Sequence, residues 1–219
     1  MRVGPYAAIA AVAQFVTTWA VLGATRDGYE PMSQAISELA EMGSPTRVPM
    51  TASLILFGLL LAPFVTTLRR ALPGGGAAAA AVLLNAVGSI GVGAFSCTPG
   101  CPGPEASPSD FAHVVAASIS YLGLILAPLV TAWCLRRVDD RPGLWRFSVM
   151  LGLLTLVGVT AWAGGLAGEA GGVLQRFATT TGDVWYVIAA IALLQRGGKL
   201  ERAHIRLAEP EGKRLGPSG

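Results

Sequence analysis

Charge is what this sequence has least of. Only 13% of its 219 residues are Asp, Glu, Lys or Arg, against 53% that are hydrophobic, too few to wet the surface of a soluble domain. A mean hydropathy of +0.56 points the same way. Histidine is nearly absent: there are two, His113 and His204. A membrane zinc hydrolase needs several, so that class is disfavoured and no metal ligand set is assigned. The glycine clusters lie within or beside apolar segments, never between a strand and a helix, so no nucleotide fingerprint is present and no cofactor is expected.

What fills the chain instead is long apolar runs. Six are long enough to cross a hydrocarbon core of about 30 Å at roughly 1.5 Å per residue. They are Tyr6–Ala24, Val48–Leu68, Ala77–Phe95, Val114–Leu135, Phe147–Gly168 and Phe177–Leu194, and the only charge in any of them is Asp183. The expected fold is all-α: a polytopic membrane bundle of six transmembrane helices arranged as three hairpins. Residues 1–195 form this domain, and 196–219, which include His204, form a polar tail to which no chemistry is assigned. The first run has some features of a secretory signal, since Arg2 precedes it and small residues end it. It is longer than such a segment should be, and we read it as a retained helix, with cleavage as the alternative.

Orientation follows from the basic residues, because short translocated loops lose Lys and Arg. An inside N-terminus keeps Arg2, Arg69, Arg70, Arg136, Arg137, Arg141, Arg146 and the six basic residues of the tail in the cytoplasm, leaving only Arg26, Arg47 and Arg176 outside. The net charge of +3 is thus a signature of topology in a multi-pass cell-membrane protein, and nucleic acid is not an expected partner. Four of the five tryptophans, Trp19, Trp133, Trp145 and Trp162, fall near proposed helix ends, in the headgroup zone.

The second and fourth helices resemble each other. One reads Gly58-Leu-Leu-Leu-Ala-Pro63-Phe-Val-Thr before Arg69-Arg70, the other Gly123-Leu-Ile-Leu-Ala-Pro128-Leu-Val-Thr before Arg136-Arg137. Ser44-Pro45 and Ser107-Pro108 precede them, suited to a cap followed by a first-turn proline. A parallel duplication and a coincidence within a small apolar alphabet both remain open. Pro63 and Pro128 should kink their helices. Gly88, Gly91 and Gly93 on the third helix, and the pair Gly164 and Gly168 in the fifth, are read as close-packing faces.

The candidate site lies on the outer side. In the first outer loop, Pro31 can start a short amphipathic helix with Met32, Ile36 and Leu39 on one face and Ser33, Gln34, Ser37, Glu38 and Glu41 on the other, stopped by Gly43. Such a helix lies at the interface or covers the mouth of the bundle, and Ser33, Ser37 and Glu38 are candidates to line a polar pocket. In the second outer loop, Cys97 and Cys101 stand where disulfides are permitted, and a bridge there would stabilise by about 2 kcal/mol on the chain-entropy estimate. Their three-residue spacing is a poor match to a redox Cys-x-x-Cys. At the start of the fourth helix, Ser107 can cap, Asp110 suits the helix dipole, and His113 lies one turn on, where Asp110 can orient its ring. Near the sixth helix, Glu169, Gln175 and Arg176 lie on the same side, with Arg176 a candidate anion holder. Asp183 is two turns deeper and needs a partner or a water-filled cavity, with Arg176 or Asn85 the candidate partners.

Together, Tyr29-x-Pro31-x-Ser33-x-x-Ile36-Ser37-Glu38-Leu39, Ser44-Pro45, the Cys-Pro-rich loop ending in Asp110-x-x-His113, and Gly-Gly-x-Leu-Gln175-Arg176 resemble the six-helix bacterial and archaeal membrane proteins grouped as domain of unknown function family 998. The resemblance covers nearly the whole chain. It implies the topology and draws attention to the outer-face residues, but it brings no activity, and Asp183 is outside its pattern.

Two readings of function follow. One is a non-catalytic membrane protein whose outer polar cluster binds a lipid or small apolar ligand, with membrane lipids as partners. The other is an enzyme facing the outer leaflet and acting on a lipid-like substrate, with His113 as acid or base oriented by Asp110, Glu38 as second acid, Ser37 as donor or nucleophile and Arg176 holding an anion. Convergence of His113, Asp110 and Ser37 on one pocket would favour the enzyme.

Overall fold

The computed structural model describes residues 3–136, 142–166 and 168–208, with side chains described to residue 196 in the last helix. The tail beyond residue 208, the loop basic residues Arg137 and Arg141, and the side chain of His204 lie outside the described residues. The described residues form six α-helices: α1 Val3–Thr25, α2 Arg47–Ala71, α3 Gly75–Ala94, α4 Pro108–Leu135, α5 Pro142–Ala163 and α6 Gly171–Ala208. Among the described residues there is no strand. All six helices contain a stretch long and apolar enough to span a bilayer, so the chain is a multi-pass integral membrane protein.

Each helix packs on its neighbours in sequence, and α1 also packs on α6, which closes the series into a ring. Small residues set the spacing. A Cβ on Gly88 would lie 2.3 Å from the Ser120 backbone nitrogen, and one on Gly91 would lie 2.8 Å from the Ala116 methyl, so α3 and α4 touch nearly backbone to backbone. The two matching glycines of α2 and α4 both seat on α3: a Cβ on Gly58 would meet the Ala86 carbonyl at 2.4 Å, and one on Gly123 the Asn85 nitrogen at 2.2 Å. The similar helices therefore flank α3 and use the same residue to approach it. Pro63 and Pro128 lie inside their helices.

Three expectations about local structure change. The helix of the first long loop is a five-residue 3-10 turn, Ile36–Ala40. It buries Ile36 and Leu39 but leaves Met32 57% exposed, because the chain after Pro31 forms turns rather than a continuous helix. Gly164 and Gly168 lie beyond the end of α5, where Gly165 and Gly168 adopt positive φ of 69° and 51° and turn the chain. Thr46, not Ser44, occupies the cap position of α2, with Ser44 and Thr46 sharing a hydroxyl contact of 2.8 Å. Ser107 does cap α4, accepting from the Asp110 backbone N–H at 3.1 Å, with Pro108 in the first turn.

The ring is plugged near its middle by aromatic side chains. Tyr186 of α6 is fully buried and meets Phe57 and Phe64 of α2 edge-on, at centroid distances of 6.3 and 6.1 Å. Its hydroxyl donates to Asn85 Oδ1 at 3.0 Å. On the preceding residue, the Trp185 indole N–H donates to Ser148 of α5 at 3.1 Å. On the loop side of this plug the bundle is hollow.

Candidate functional site: a roofed cavity inside the helix ring

The roof is the loop between α1 and α2, held down by arginines. Arg176, in the second turn of α6, donates from Nη1 to the carbonyls of Pro31 at 2.7 Å, Gln34 at 2.8 Å and Gly172 at 2.9 Å, and from Nη2 to the Tyr29 hydroxyl. Its guanidinium also lies over the rings of Trp19 and Tyr29, at 5.7 and 5.6 Å. Burial pushes the Tyr29 phenol above the usual tyrosine range, although Arg176 beside it pulls the other way. The neighbouring Gln175 accepts from the Ile36 backbone N–H at 2.6 Å. Arg26 grips the far side of the loop, donating to the Glu38 carbonyl and to Glu41 Oε1, each at 2.6 Å. Glu41 Oε2 then accepts from the Gly100 N–H at 2.6 Å, which ties this loop to the second one.

That second loop carries Cys97 and Cys101, paired as a disulfide with Cα atoms 5.0 Å apart. Asp110 anchors it to α4. One carboxylate oxygen accepts from the Thr98 N–H at 2.8 Å, and the other from the Thr98 and Ser107 hydroxyls at 2.8 and 2.6 Å. These bonds occupy Asp110, so it does not orient the histidine ring. His113 instead directs Nδ1 to the Phe95 carbonyl at 2.8 Å. A carbonyl only accepts, so Nδ1 carries the hydrogen and Nε2 is left as an acceptor. The two sulfur atoms and a nitrogen of His113 lie within 4.8 Å of one another. As a disulfide, the sulfurs are not thiolate ligands.

Beneath this roof is a cavity of about 750 Å³, lined by all six helices and both loops. That is the size of a small-molecule or lipid-tail site. The structure brings Ser33, Ser37, Glu38, His113, Gln175 and Asp183 to its wall. Asp110, Arg176 and Glu169 are not among its lining residues: the first two are structural ties, and Glu169 is exposed in the short 3-10 turn before α6. Glu38 is on the wall but is engaged locally, accepting from the Ala35 N–H at 2.7 Å and the Gln34 amide at 2.8 Å.

Polar groups descend one face of the cavity. Gln175, Thr179 and Asp183 stand four residues apart on α6, so they share a helix face. Facing them, the Asn85 amide donates to the Ser120 carbonyl at 3.0 Å and hydroxyl at 2.9 Å. Tyr121 of α4 contacts the Thr179 hydroxyl at 3.3 Å. Asn85 is thus committed to Ser120 and Tyr186, and Arg176 to the roof, so neither expected partner reaches Asp183. Its carboxyl is 1% exposed, and Oδ2 has no hydrogen-bond partner.

The wall runs out to residues on the outside of the bundle. Ser118 and Leu122 of α4 and Ala163 of α5 line the cavity yet are exposed, Leu122 by 50%. The two helices are tightly packed lower down, where a Cβ on Gly152 would lie 2.6 Å from Leu129. Towards the loops, the tilted ring contact of Tyr121 with Trp162 at 5.5 Å bridges them. The second-loop residues Gly100, Pro102 and Gly103 also line the hollow and are exposed, so it reaches the surface both between α4 and α5 and beside that loop. Sequence alone does not single out Tyr121, Trp162, Thr179 or Ser120. Only their helical register relative to His113 and Asp183 could have shown that they share the wall.

A family model described as a protein of unknown function (DUF998) matches residues 9–192. The chain belongs to that family. The match takes in every roof and wall residue of this DUF998 protein named above, from Trp19 to Asp183. No curated protein and no solved structure matches the chain.

Proposed function

We propose that this DUF998 protein binds a lipid-like or small apolar ligand in the cavity between its helices, the ligand entering from the membrane between α4 and α5. The observation that carries this reading is the continuity of a cavity of about 750 Å³ with exposed residues on the lipid-facing surface. A hydrocarbon tail entering such a space exchanges lipid contacts for Phe57, Leu54, Leu124 and Val92, while its polar end meets the polar face that descends α6. The aromatic plug around Tyr186 supports binding over passage, since the polar face stops there. The basic residues favour a cell-membrane orientation with both termini cytoplasmic and the roof outward.

Trp162, on the cavity wall, supplies the test. The protein in phosphatidylcholine nanodiscs is titrated with 12-bromododecanol, whose bromine quenches indole fluorescence on contact. Saturable quenching that disappears in Trp162→Phe is expected. Quenching that only follows partition of the probe into the bilayer, with no saturable part, overturns the reading.

A second reading, acid–base catalysis on such a ligand, is favoured by one observation: His113, with Nε2 left as an acceptor, and Ser37 line the same cavity. It requires a bound ligand to be chemically changed in a His113-dependent way. Native lipids recovered unchanged from the protein by mass spectrometry after prolonged incubation would contradict it.

A further inference from the structure

The carboxyls that line the cavity have no basic side chain beside them on its wall. Among its lining residues, Glu38 and Asp183 carry carboxyls, His113 is the one imidazole, and neither Lys nor Arg is present. Glu38 is spent on the Ala35 N–H and the Gln34 amide. Asp183 is not spent. It lies at the inner end of the face formed by Gln175 and Thr179, is 1% exposed, lines the cavity and has Oδ2 without a hydrogen-bond partner. Leaving a buried carboxyl oxygen unsatisfied is costly, and a donor in the cavity would recover that cost. Water could fill the role of donor, as could the head group of a ligand whose tail lies along the apolar part of the wall.

We propose that the cavity selects amphiphiles with a cationic amine head, and that Asp183 is the residue that pairs with the ammonium. The inference rests on the ligand-binding reading above and adds the chemical class of the ligand. The geometry suits an amine better than a neutral alcohol. An ammonium brings three donors to a region where the Asp183 carboxyl, the Thr179 hydroxyl and the Tyr121 hydroxyl stand on adjoining helix faces. An anionic head would meet the Asp183 carboxyl with no cation among the lining residues to offset it. The apolar tail then lies along Leu124, Ile125 and Leu122 towards the gap between α4 and α5. The charge pair forms in a medium of low dielectric, where it discriminates strongly between head groups.

The test is competition against bound 12-bromododecanol in nanodiscs, read as recovery of Trp162 fluorescence. Dodecylamine, dodecanol and dodecanoate share a chain length and differ in head group. Dodecylamine is expected to displace the probe at a concentration at least tenfold lower than dodecanol, and dodecanoate to be the weakest. In Asp183→Asn the advantage of the amine over the alcohol should fall to less than threefold, while binding of the alcohol probe persists and reports an intact cavity. Equal potency of amine and alcohol on the wild-type protein overturns the proposal and leaves the ligand-binding reading standing. An amine preference that survives in Asp183→Asn also overturns it, since the charge then lies elsewhere. If Asp183→Asn does not fold, the comparison of head groups on the wild-type protein decides alone. Absence of any saturable quenching by the probe overturns both.

Discussion

Arg176 shows how one residue type can be right for a site and wrong for its role. A guanidinium at the edge of a polar cluster suggests an anion, and the sequence alone makes Arg176 a candidate to hold one. In the structure its donors go to the Pro31, Gln34 and Gly172 carbonyls and to Tyr29. The rigid donor fork of arginine suits this, since several carbonyls of a loop without regular structure are satisfied at once. Arg176→Gln should therefore loosen the roof, with a loss of about 2 kcal/mol, the scale of one or two hydrogen bonds to a charged group. Faster tryptic cleavage after Arg26 and a lower Tm would show it, whereas unchanged cleavage would mean that the roof is held by other ties. Asp110 teaches the same lesson. Its spacing to His113 is right for a contact, but its oxygens are claimed by Ser107, the helix cap three residues before it, and by Thr98, from a loop whose path no residue spacing reveals.

At the scale of elements, the helices are the most legible part, because long runs without charge have few other outcomes in a membrane. Their ends are less so. The apolar run from Phe147 continues to Gly168, but α5 ends at Ala163, where glycines turn the chain. The glycines of α3 do serve close packing, but not as one face: Gly88 and Gly91 meet α4, whereas Gly93 meets Thr51 and Ile55 of α2. The structure assigns Gly58 of α2 and Gly123 of α4 to the two sides of α3. A Cβ at Gly123 would lie 2.2 Å from one backbone atom and 2.7 Å from another, so α4 must move for alanine to fit. Gly123→Ala should cost about 1–3 kcal/mol in thermal unfolding, in line with other overpacked contacts. Gly76→Ala, in an open position of the same bundle, should be neutral or slightly stabilising because alanine is the better helix former. Equal stability of the two variants would contradict the close approach.

At the scale of the whole molecule, the function-bearing feature is the hollow left between six helices, and no local pattern in the sequence announces a hollow. Composition and position point to Ser37, Glu38 and His113, and these do line one cavity with Gln175 and Asp183. The remainder of the wall, including Tyr121, Trp162 and Thr179, follows from how α4, α5 and α6 are rotated about their axes, which depends on packing across the ring. The aromatic plug at Tyr186 and the gap between α4 and α5 are likewise properties of the assembled bundle.

The most direct measurement of that hollow is the reactivity of Ala117→Cys, on the cavity wall, towards N-ethylmaleimide in nanodiscs. The buried Cys134 serves as the unreactive reference within the same chain, and the Cys97–Cys101 bridge is left oxidised. Labelling of the introduced thiol that is much faster than that of Cys134, and slowed by dodecanol, is the expected result. Labelling as slow as that of Cys134, unaffected by dodecanol, would mean that the space between the helices is closed and that the protein holds no ligand there.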